Sequence, residues 1–283
     1  MTKALVLKKQ ADLFSVELEN GEKFDTVARK NLKREGIFVG DYVEIDSDRA
    51  ISKVLTRRNI LIRPPVANID KIFIVVAPVP KADLYTVDKM ILFCRLNNIE
   101  PILCVNKNDL DEKYCNEVAD IYKKIIKTIV ISTKDNSFEK IKRLLSGICV
   151  LAGQSAVGKS SIINALKGQE IAKVDTFSKK TERGKQTTRT VQLFEFGKGH
   201  YLADTAGFSK LDESLLELKE NEIKSYYPEF LSFAQGCKYK SCLHINSKDC
   251  AVLSAVKAGK INQTRYKNYE KLVSVIKNLK KFH

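Results

Sequence analysis

The chain has 283 residues, enough for two or three domains, and hydrophobic residues make up 44% of it, which argues against extensive disorder. Its longest apolar run, IFIVVAPVP, is too short to cross a bilayer, and its N-terminus lacks the apolar stretch of a signal peptide, so we expect a cytoplasmic protein with no membrane partner. The net charge of +15, from 49 basic and 34 acidic residues, favours a nucleic-acid partner over a surface that is merely solvated.

Residues 1–62 contain short alternating apolar runs, and polar turns with Gly21, Gly36 and Gly40 separate them. Closely spaced strands of this kind predict a small antiparallel β-barrel. An oligonucleotide-binding (OB) type of barrel is the first interpretation, although an SH3-like barrel would show the same pattern. The next segment, RPPVANID at residues 63–70, is interpreted as a linker, because consecutive prolines interrupt regular structure.

From about residue 69 to residue 215, buried strands alternate with helices, which predicts an α/β domain with a largely parallel central sheet. The predicted strands are KIFIVVA (71–77), EPILCVN (100–106), TIVIST (128–133), ICVLAG (148–153), VQLFEF (191–196) and HYLADTAG (200–207). The predicted helices are TVDKMILFCRLNN (86–98), EVADIYKKIIK (117–127), FEKIKRLLS (138–146) and KSSIINALKG (159–168). Residues 216–283 are expected to be mostly helical and to end in a basic tail.

The segment GQSAVGKS matches the phosphate-loop pattern G-x-x-x-x-G-K-[ST] and lies between a predicted strand and a predicted helix. Backbone N–H groups of such a turn and of the helix N-terminus would surround a β-phosphate, which makes a merely flexible glycine turn a poor alternative. Lys159 would reach the β- and γ-phosphates and act in catalysis, and the Ser160 hydroxyl would ligate Mg²⁺. The expected nucleotide-binding residues are Gly153, Gln154, Ser155, Ala156, Val157, Gly158, Lys159, Ser160 and Ser161.

A second motif, NKND, has the form by which GTPases recognise guanine. The Asp109 carboxylate would accept hydrogen bonds from the ring N–H and the exocyclic amine of guanine, while the Lys107 stem packs on the base. Asn106 and Leu110, on either side of these residues, belong to the same predicted base site. The string STK, which is Ser132, Thr133 and Lys134, ends another strand, and its backbone could donate to guanine O6.

Two further strings complete a GTPase set. In DTAG, which follows a predicted strand, Asp204 could hold Mg²⁺ through water and the Gly207 N–H could meet the γ-phosphate. Thr187 and Thr188 lie in a basic loop between a helix and a strand, where a switch threonine is expected, and Thr188 is the predicted Mg²⁺ ligand.

The order of these motifs is unusual, because NKND normally follows the phosphate loop and here precedes it. All of them except the switch threonines lie at carboxyl ends of predicted strands, which share one edge of an open α/β sheet. Joining the old termini of such a fold and opening new ones elsewhere would keep every motif in place. The sequence therefore predicts a circularly permuted GTPase domain over residues 63–215.

The segment CKYKSCLHINSKDC contains Cys237, Cys242, His244 and Cys250 in the spacing C-x₄-C-x-H-x₅-C. Three thiolates and one imidazole form a closed tetrahedral zinc site of the structural type. Four other cysteines stand singly among apolar neighbours and are expected to be buried thiols, because disulfides are rare in the cytosol.

With these motifs the chain resembles the circularly permuted GTPases of the RsgA/YjeQ type over nearly its whole length. The resemblance implies an N-terminal OB-type barrel at residues 1–62, the permuted GTPase, and a zinc-binding helical domain at residues 216–283. It also implies a GTP-hydrolysing factor that binds the small ribosomal subunit and its rRNA, assists late maturation and is stimulated by the subunit. GTP or GDP, Mg²⁺ and one structural Zn²⁺ are the expected ligands, and a monomer is the expected state.

Two positions bear on catalysis. Ordinary GTPases often carry a water-orienting Gln directly after D-x-x-G, whereas this chain has Phe208, a hydrophobic replacement that the family shares. The family usually shows Gly-Arg-His-Thr-Thr in the switch loop, with the His proposed to position the water, and residues 184–188 here read GKQTT. Gln186 is therefore expected to take the place of that His, because an amide can also orient water.

Two other functions fit part of the pattern. A nucleic-acid-binding scaffold whose nucleotide site barely turns over would agree with Phe208. A GTPase that acts on membranes or in transport would leave the zinc site and the basic tail unexplained. GTP hydrolysis measured over many turnovers, with and without small subunits, separates the scaffold from the enzyme.

Overall fold

The N-terminal region is a five-stranded antiparallel sheet whose two edges meet. The structure is a computed structural model that describes residues 1–30, 32, 36–62, 65–168, 191–204 and 218–279. The strands are β1 (Thr2–Gln10), β2 (Leu13–Leu18), β3 (Lys23–Val27), β4 (Tyr42–Ile45) and β5 (Ile51–Val54), in the order β3-β2-β1-β4-β5. A parallel bridge joins Ala28 to Ile51, and the Arg29 N–H donates to the Ile51 carbonyl at 2.9 Å. These contacts fit the predicted small barrel, and its assignment to the OB type stays a prediction.

The interpretation of residues 63–70 as a linker is wrong for residues 65–67. Strand β6 (Ile60–Ile62) pairs with β7 (Pro65–Ala67) in a short hairpin, and Val66 and Ala67 are fully buried. The buried Asn59 amide closes the hairpin by exchanging hydrogen bonds of 2.8 and 2.9 Å with the Ile69 backbone. Proline is tolerated as the first residue of a strand, so burial of the apolar side chains decides the conformation.

The second region is built on a six-stranded sheet with the order β10-β9-β8-β11-β13-β12. Its elements are β8 (Lys71–Val76), α1 (Leu84–Leu96), β9 (Glu100–Val105), α2 (Glu112–Tyr122), β10 (Lys127–Val130), α3 (Glu139–Lys142), β11 (Gly147–Ala152), α4 (Lys159–Lys167), β12 (Leu193–Glu195) and β13 (His200–Asp204). Only β12, at an edge, is antiparallel to its neighbour. The chain reverses direction across the sheet between β8 and β11, so a ligand crevice is expected outside their carboxyl ends.

All six predicted strands are present, but two of the predicted helices have different bounds. Helix α2 begins at Glu112, because the Asp111 carboxylate caps it by accepting from the Tyr114 N–H at 2.9 Å. It ends at Tyr122, since Lys127 already opens β10. The region predicted as a helix over residues 138–146 is a short 3₁₀ turn followed by α3.

The third region is helical and packs against α1. It contains α5 (Pro228–Ala234), α6 (Ala251–Lys257) and α7 (Gln263–Leu279), and its apolar side chains share one core with α1 and α2. On α7 the buried Arg265 forms an ion pair with Asp88 of α1. In the part of the chain that is described, no helix combines the length and apolar character needed to span a membrane.

Candidate functional site

The phosphate loop leaves β11 in a backbone conformation that requires glycine at two positions. Gly153 has φ +147°, and a Cβ atom there would lie 2.2 Å from the Val75 carbonyl oxygen of β8. Gly158 has φ +100°, and its Cβ would lie 2.4 Å from the Asn106 amide nitrogen. These close approaches make the two pattern glycines necessary, because any larger residue would push neighbouring strands apart.

Lys159 opens α4 and turns back over the phosphate loop. Its ammonium donates to the carbonyl oxygens of Gly153 at 2.9 Å and Gln154 at 2.7 Å, and the residue is only 7% exposed. The loop therefore places a buried cation beside the N-terminus of a helix. Both features favour a phosphate group, which would attract the ammonium and accept from the N–H groups of the loop and of the first helical turn.

The residues at the start of NKND contact the phosphate loop directly. Asn106, which is 1% exposed, donates its amide to the Val157 carbonyl at 2.9 Å, while its side-chain oxygen is buried without a hydrogen-bond partner among the described residues. The Lys107 ammonium donates to the carbonyl oxygens of Ala156 at 2.6 Å and Val79 at 2.7 Å. Burial lowers the pKa of Lys107, and nearby Asp109 opposes this shift. The two motifs therefore form one site, although NKND precedes the loop in the chain.

Asp109 is held by the STK segment that follows β10. The Ser132 hydroxyl donates to one carboxylate oxygen at 2.6 Å, and the Lys134 ammonium lies 2.7 Å from the other. The hydrogen bonds from Lys134 and Ser132 lower the pKa of Asp109, which therefore stays ionised at neutral pH. An ionised carboxylate is the acceptor that the two donors on guanine require.

The STK segment contributes side chains that the sequence did not reveal. Only backbone donation to guanine O6 was predicted there, yet Ser132 and Lys134 both bind Asp109 through their side chains. The Ser132 N–H donates to the Ser137 hydroxyl at 2.7 Å, and the Lys134 N–H donates to the Ser132 hydroxyl at 3.0 Å. Within the described residues, this leaves the Thr133 N–H as the backbone donor of the segment that has no protein acceptor.

The remaining predicted residues divide into two groups. Leu110 is exposed beside Asp109, and Ser160 and Ser161 lie in the first turn of α4. Asp204 ends β13 and pairs in register with Leu151 of β11, which places its backbone next to the strand that carries the phosphate loop. Gln186, Thr187, Thr188, Gly207 and Phe208 lie outside the described residues.

The four predicted zinc ligands form one cluster, with their ligand atoms within 4.8 Å of one another. The sulfur of Cys237 lies 3.7 Å from that of Cys250, and the His244 Nδ1 lies 3.6 Å and 3.4 Å from these two sulfurs. A zinc tetrahedron with Zn–S bonds of about 2.3 Å and Zn–N bonds of about 2.0 Å has edges of roughly 3.5–3.8 Å. The donor set and its spacing therefore fit a structural zinc ion.

Side chains from other elements fix the backbone of this cluster. The Tyr266 hydroxyl of α7 donates to the His244 carbonyl at 2.8 Å, and the Tyr269 hydroxyl donates to the Leu243 carbonyl at 2.7 Å. The Lys224 ammonium donates to the Cys242 carbonyl at 2.8 Å. The sequence gave no signal for these contacts, because they join residues far apart in the chain.

Comparison with known sequences places these features in one family. The sequence model of the family described as RsgA GTPase matches residues 54–214. The small ribosomal subunit biogenesis GTPase RsgA of Caldanaerobacter subterraneus subsp. tengcongensis is 34% identical over 287 residues, which cover 98% of this chain and 96% of that protein. The small ribosomal subunit biogenesis GTPase RsgA 2 of Listeria monocytogenes is 36% identical over 292 residues, which cover 99% of each chain.

Solved structures agree with this comparison. The crystal structure of YjeQ from Thermotoga maritima matches with a TM-score of 0.77 and 30% identity, over 97% of this chain and 98% of that chain. YloQ, described as a circularly permuted GTPase, matches with a TM-score of 0.76 and 29% identity, over 98% of this chain and 96% of that chain. The circular permutation predicted from the motif order is confirmed.

Proposed function

The chain belongs to the RsgA GTPase family and is a GTPase, and on this basis we propose that it binds the small ribosomal subunit and assists its late maturation. Its relatives are named for small ribosomal subunit biogenesis. The observation that carries the proposal is the meeting of the guanine motif with the phosphate loop through Asn106 and Lys107. The net charge of +15 supports an rRNA contact, and we place a monomeric factor in the cytoplasm, where subunits mature.

The site residues have separate roles in the proposed reaction. Asp109 and the Lys107 stem select guanine, the Thr133 N–H donates to guanine O6, and the phosphate loop holds the phosphates. Lys159 leaves the carbonyl oxygens of the loop for the β- and γ-phosphates. The Ser160 hydroxyl, Thr188 and Asp204 would hold Mg²⁺, which neutralises charge on the phosphates during transfer.

Gln186 is the proposed water-positioning residue. Phosphoryl transfer depends on placing a water and stabilising charge more than on a strong base, and Phe208 can neither donate nor accept a hydrogen bond. Gln186 stands next to Thr187 and Thr188 in the sequence, and its amide can both accept from the water and donate to a phosphate oxygen. Stimulation by the subunit would follow if docking completes this loop.

Two measurements test the proposal. Multiple-turnover GTP hydrolysis is compared without subunits, with small subunits and with large subunits, and we expect stimulation by small subunits alone. Co-sedimentation with each subunit is measured with a non-hydrolysable GTP analogue and with GDP, and we expect stronger small-subunit binding with the analogue. A protein that co-sediments but shows no turnover would be a nucleotide-dependent scaffold instead.

A variant tests the role of Gln186 on the subunit. Gln186→Ala should lower stimulated turnover by one to two orders of magnitude, roughly the contribution of a positioned proton-transfer group, while GTP affinity and co-sedimentation persist. Gln186→His should keep activity. Normal turnover of Gln186→Ala on the subunit would assign the water to the backbone or to rRNA.

A further inference from the structure

The turn at residues 238–241 between the ligands Cys237 and Cys242, here called the zinc-loop tip, has an unusual surface. Tyr239 is 57% exposed, and of the aromatic side chains in the described chain it is the only strongly exposed one. The other described tyrosines and phenylalanines are buried or half-buried. An aromatic ring left in water loses the stabilisation that burial would give it, so its position calls for a partner.

The tip is held in place at both ends. Cys237 and Cys242 flank it and belong to the zinc cluster, and the Cys242 N–H donates to the Tyr239 carbonyl at 3.1 Å. The Lys238 N–H donates to the Asp249 carbonyl at 3.4 Å, which ties the tip to the segment before Cys250. A partner that binds Tyr239 therefore meets a turn whose backbone is already ordered, which reduces the entropy lost on binding.

The charge around the ring is positive. Exposed Lys238 and Lys240 flank Tyr239 in the sequence, and Lys248 adds a third cation against the single acid Asp249 in the segment from Cys237 to Cys250. The Lys238 ammonium pairs with Asp249 at 3.7 Å, but both side chains are exposed, so this pair is weak.

We propose that the zinc-loop tip binds an unpaired RNA base, with the Tyr239 ring stacked on the base and Lys238 and Lys240 on neighbouring phosphates. Lysines are depleted in protein–protein interfaces, whereas an aromatic ring between cations is the arrangement that proteins use for unpaired nucleotides. The inference rests on the proposed function, because the small subunit would supply the RNA.

A fluorescence experiment tests the stacking itself. The chain contains no Trp, so Tyr239→Trp introduces a single tryptophan reporter at the tip. Protein-free small-subunit rRNA and intact small subunits should both quench its emission, because stacking on a base quenches indole fluorescence. The matched control is Leu231→Trp at a residue of α5 that is 53% exposed, and its emission should stay unchanged. Equal emission of Tyr239→Trp with and without rRNA at saturating binding would overturn the proposal.

Affinity measurements separate stacking from simple apolar contact. Tyr239→Phe should bind rRNA and subunits as the wild type does, whereas Tyr239→Leu should bind both roughly five- to one-hundred-fold more weakly, the usual effect of losing one stacked base. Zinc content and GTP affinity should stay unchanged in both variants, which shows that the tip is still folded.

The outcomes distinguish this inference from the function on which it rests. Wild-type binding by Tyr239→Leu overturns the stacking and leaves the proposed function intact. A loss on intact subunits without a loss on protein-free rRNA assigns the tip to a ribosomal protein and overturns the RNA contact. A wild-type protein that binds neither small subunits nor their rRNA overturns both proposals.

Discussion

Gly158 is the residue at which the guanine motif and the phosphate loop approach most closely. A Cβ atom there would meet the Asn106 amide nitrogen at 2.4 Å, and the backbone has a φ of +100° that side chains rarely adopt. The Asn106 amide also donates to the neighbouring Val157 carbonyl. The position therefore controls how the base site and the phosphate site are placed relative to each other.

Gly158→Ala should therefore weaken GTP binding strongly, because the added carbon displaces Asn106 and strains the loop. The matched control is Gly168→Ala at the end of α4, where φ is also positive, at +65°, but a Cβ would meet nothing within 4 Å. That control should lose some stability and keep its GTP affinity. Equal GTP affinities in the two variants, measured by titration calorimetry, would contradict the packing argument.

Asp109 determines the base preference at the same scale. Asp109→Asn should weaken GTP binding and improve binding of xanthosine triphosphate, because the amide can donate to the C2 carbonyl of xanthine. Asp111→Asn is the matched control, since it makes the same charge change two residues later and an Asn still caps α2. Competition between GTP and xanthosine triphosphate measures the switch. An unchanged preference in Asp109→Asn would remove NKND from the site.

At the scale of elements, one buried ionic network joins α7 to α1 and α5. The Arg265 side chain is 2% exposed and pairs with Asp88 of α1, whose side chain is 1% exposed, and with Glu229 of α5 at 2.7 Å. The Asn268 amide also donates to Asp88 at 2.6 Å, and the Arg265 guanidinium lies 4.6 Å from the Tyr227 ring centroid. The zinc-binding helices are thereby fixed to the GTPase fold by contacts that exclude water.

Arg265→Met should lower the free energy of unfolding by about 3–5 kcal/mol, because it leaves two buried carboxylates without their cation. Arg29→Met is the matched control, since Arg29 pairs with Asp46 and Asp48 while its side chain is 46% exposed, and it should cost less than about 1 kcal/mol. Denaturant unfolding gives both values. The double change Arg265→Met with Asp88→Asn should recover part of the loss, and no recovery would count against the unpaired charge as the cause.

At the scale of the whole molecule, the zinc cluster and α7 form a basic end opposite the barrel in sequence order. Helix α7 turns Leu272, Val273 and Ile276 into the core and leaves Lys267, Lys271 and Lys277 exposed. The zinc cluster is tied to this helix through Tyr266 and Tyr269. Loss of the metal should therefore disturb the helix as well as its loop.

Cys242→Ser should lose the zinc ion and most of the affinity for small subunits, while GTP affinity of the full chain persists, because the nucleotide site uses other elements. Cys94→Ser, at a buried cysteine of α1 outside the cluster, should keep its metal. Elemental analysis of protein purified without chelator should give one zinc ion per chain for the wild type. Absence of zinc from that sample would refute the site.

The salt dependence of subunit binding tests the basic face of α7. Changing Lys267, Lys271 and Lys277 to Gln should weaken subunit affinity and flatten its dependence on salt, by up to roughly 0.7–0.9 logarithmic units per lost phosphate contact. Changing Lys113, Lys124 and Lys127 to Gln removes the same charge from another surface and should have a smaller effect. A salt-independent affinity of the wild type would point to a protein partner.

Much of the site was predictable because its motifs encode local backbone geometry. The glycines of the phosphate loop, the carboxylate of NKND and the C-x₄-C-x-H-x₅-C spacing each bring chemical groups together within a few residues of one another. The permuted order was also predictable, since carboxyl ends of parallel strands share an edge whatever the connections between them. The same periodicity located the six strands of the central sheet.

Contacts between distant residues were decided only by the tertiary structure. The pairing of Asp109 with Lys134, the strand at residues 65–67 and the Arg265 network all join segments whose sequences carry no mark of one another. Helix bounds failed for a related reason, because Asp111 and the start of β10 set the ends of α2. Local sequence determined which chemical groups this protein has. Long-range packing decided which of them meet, because burial and desolvation depend on neighbours that only the folded chain supplies.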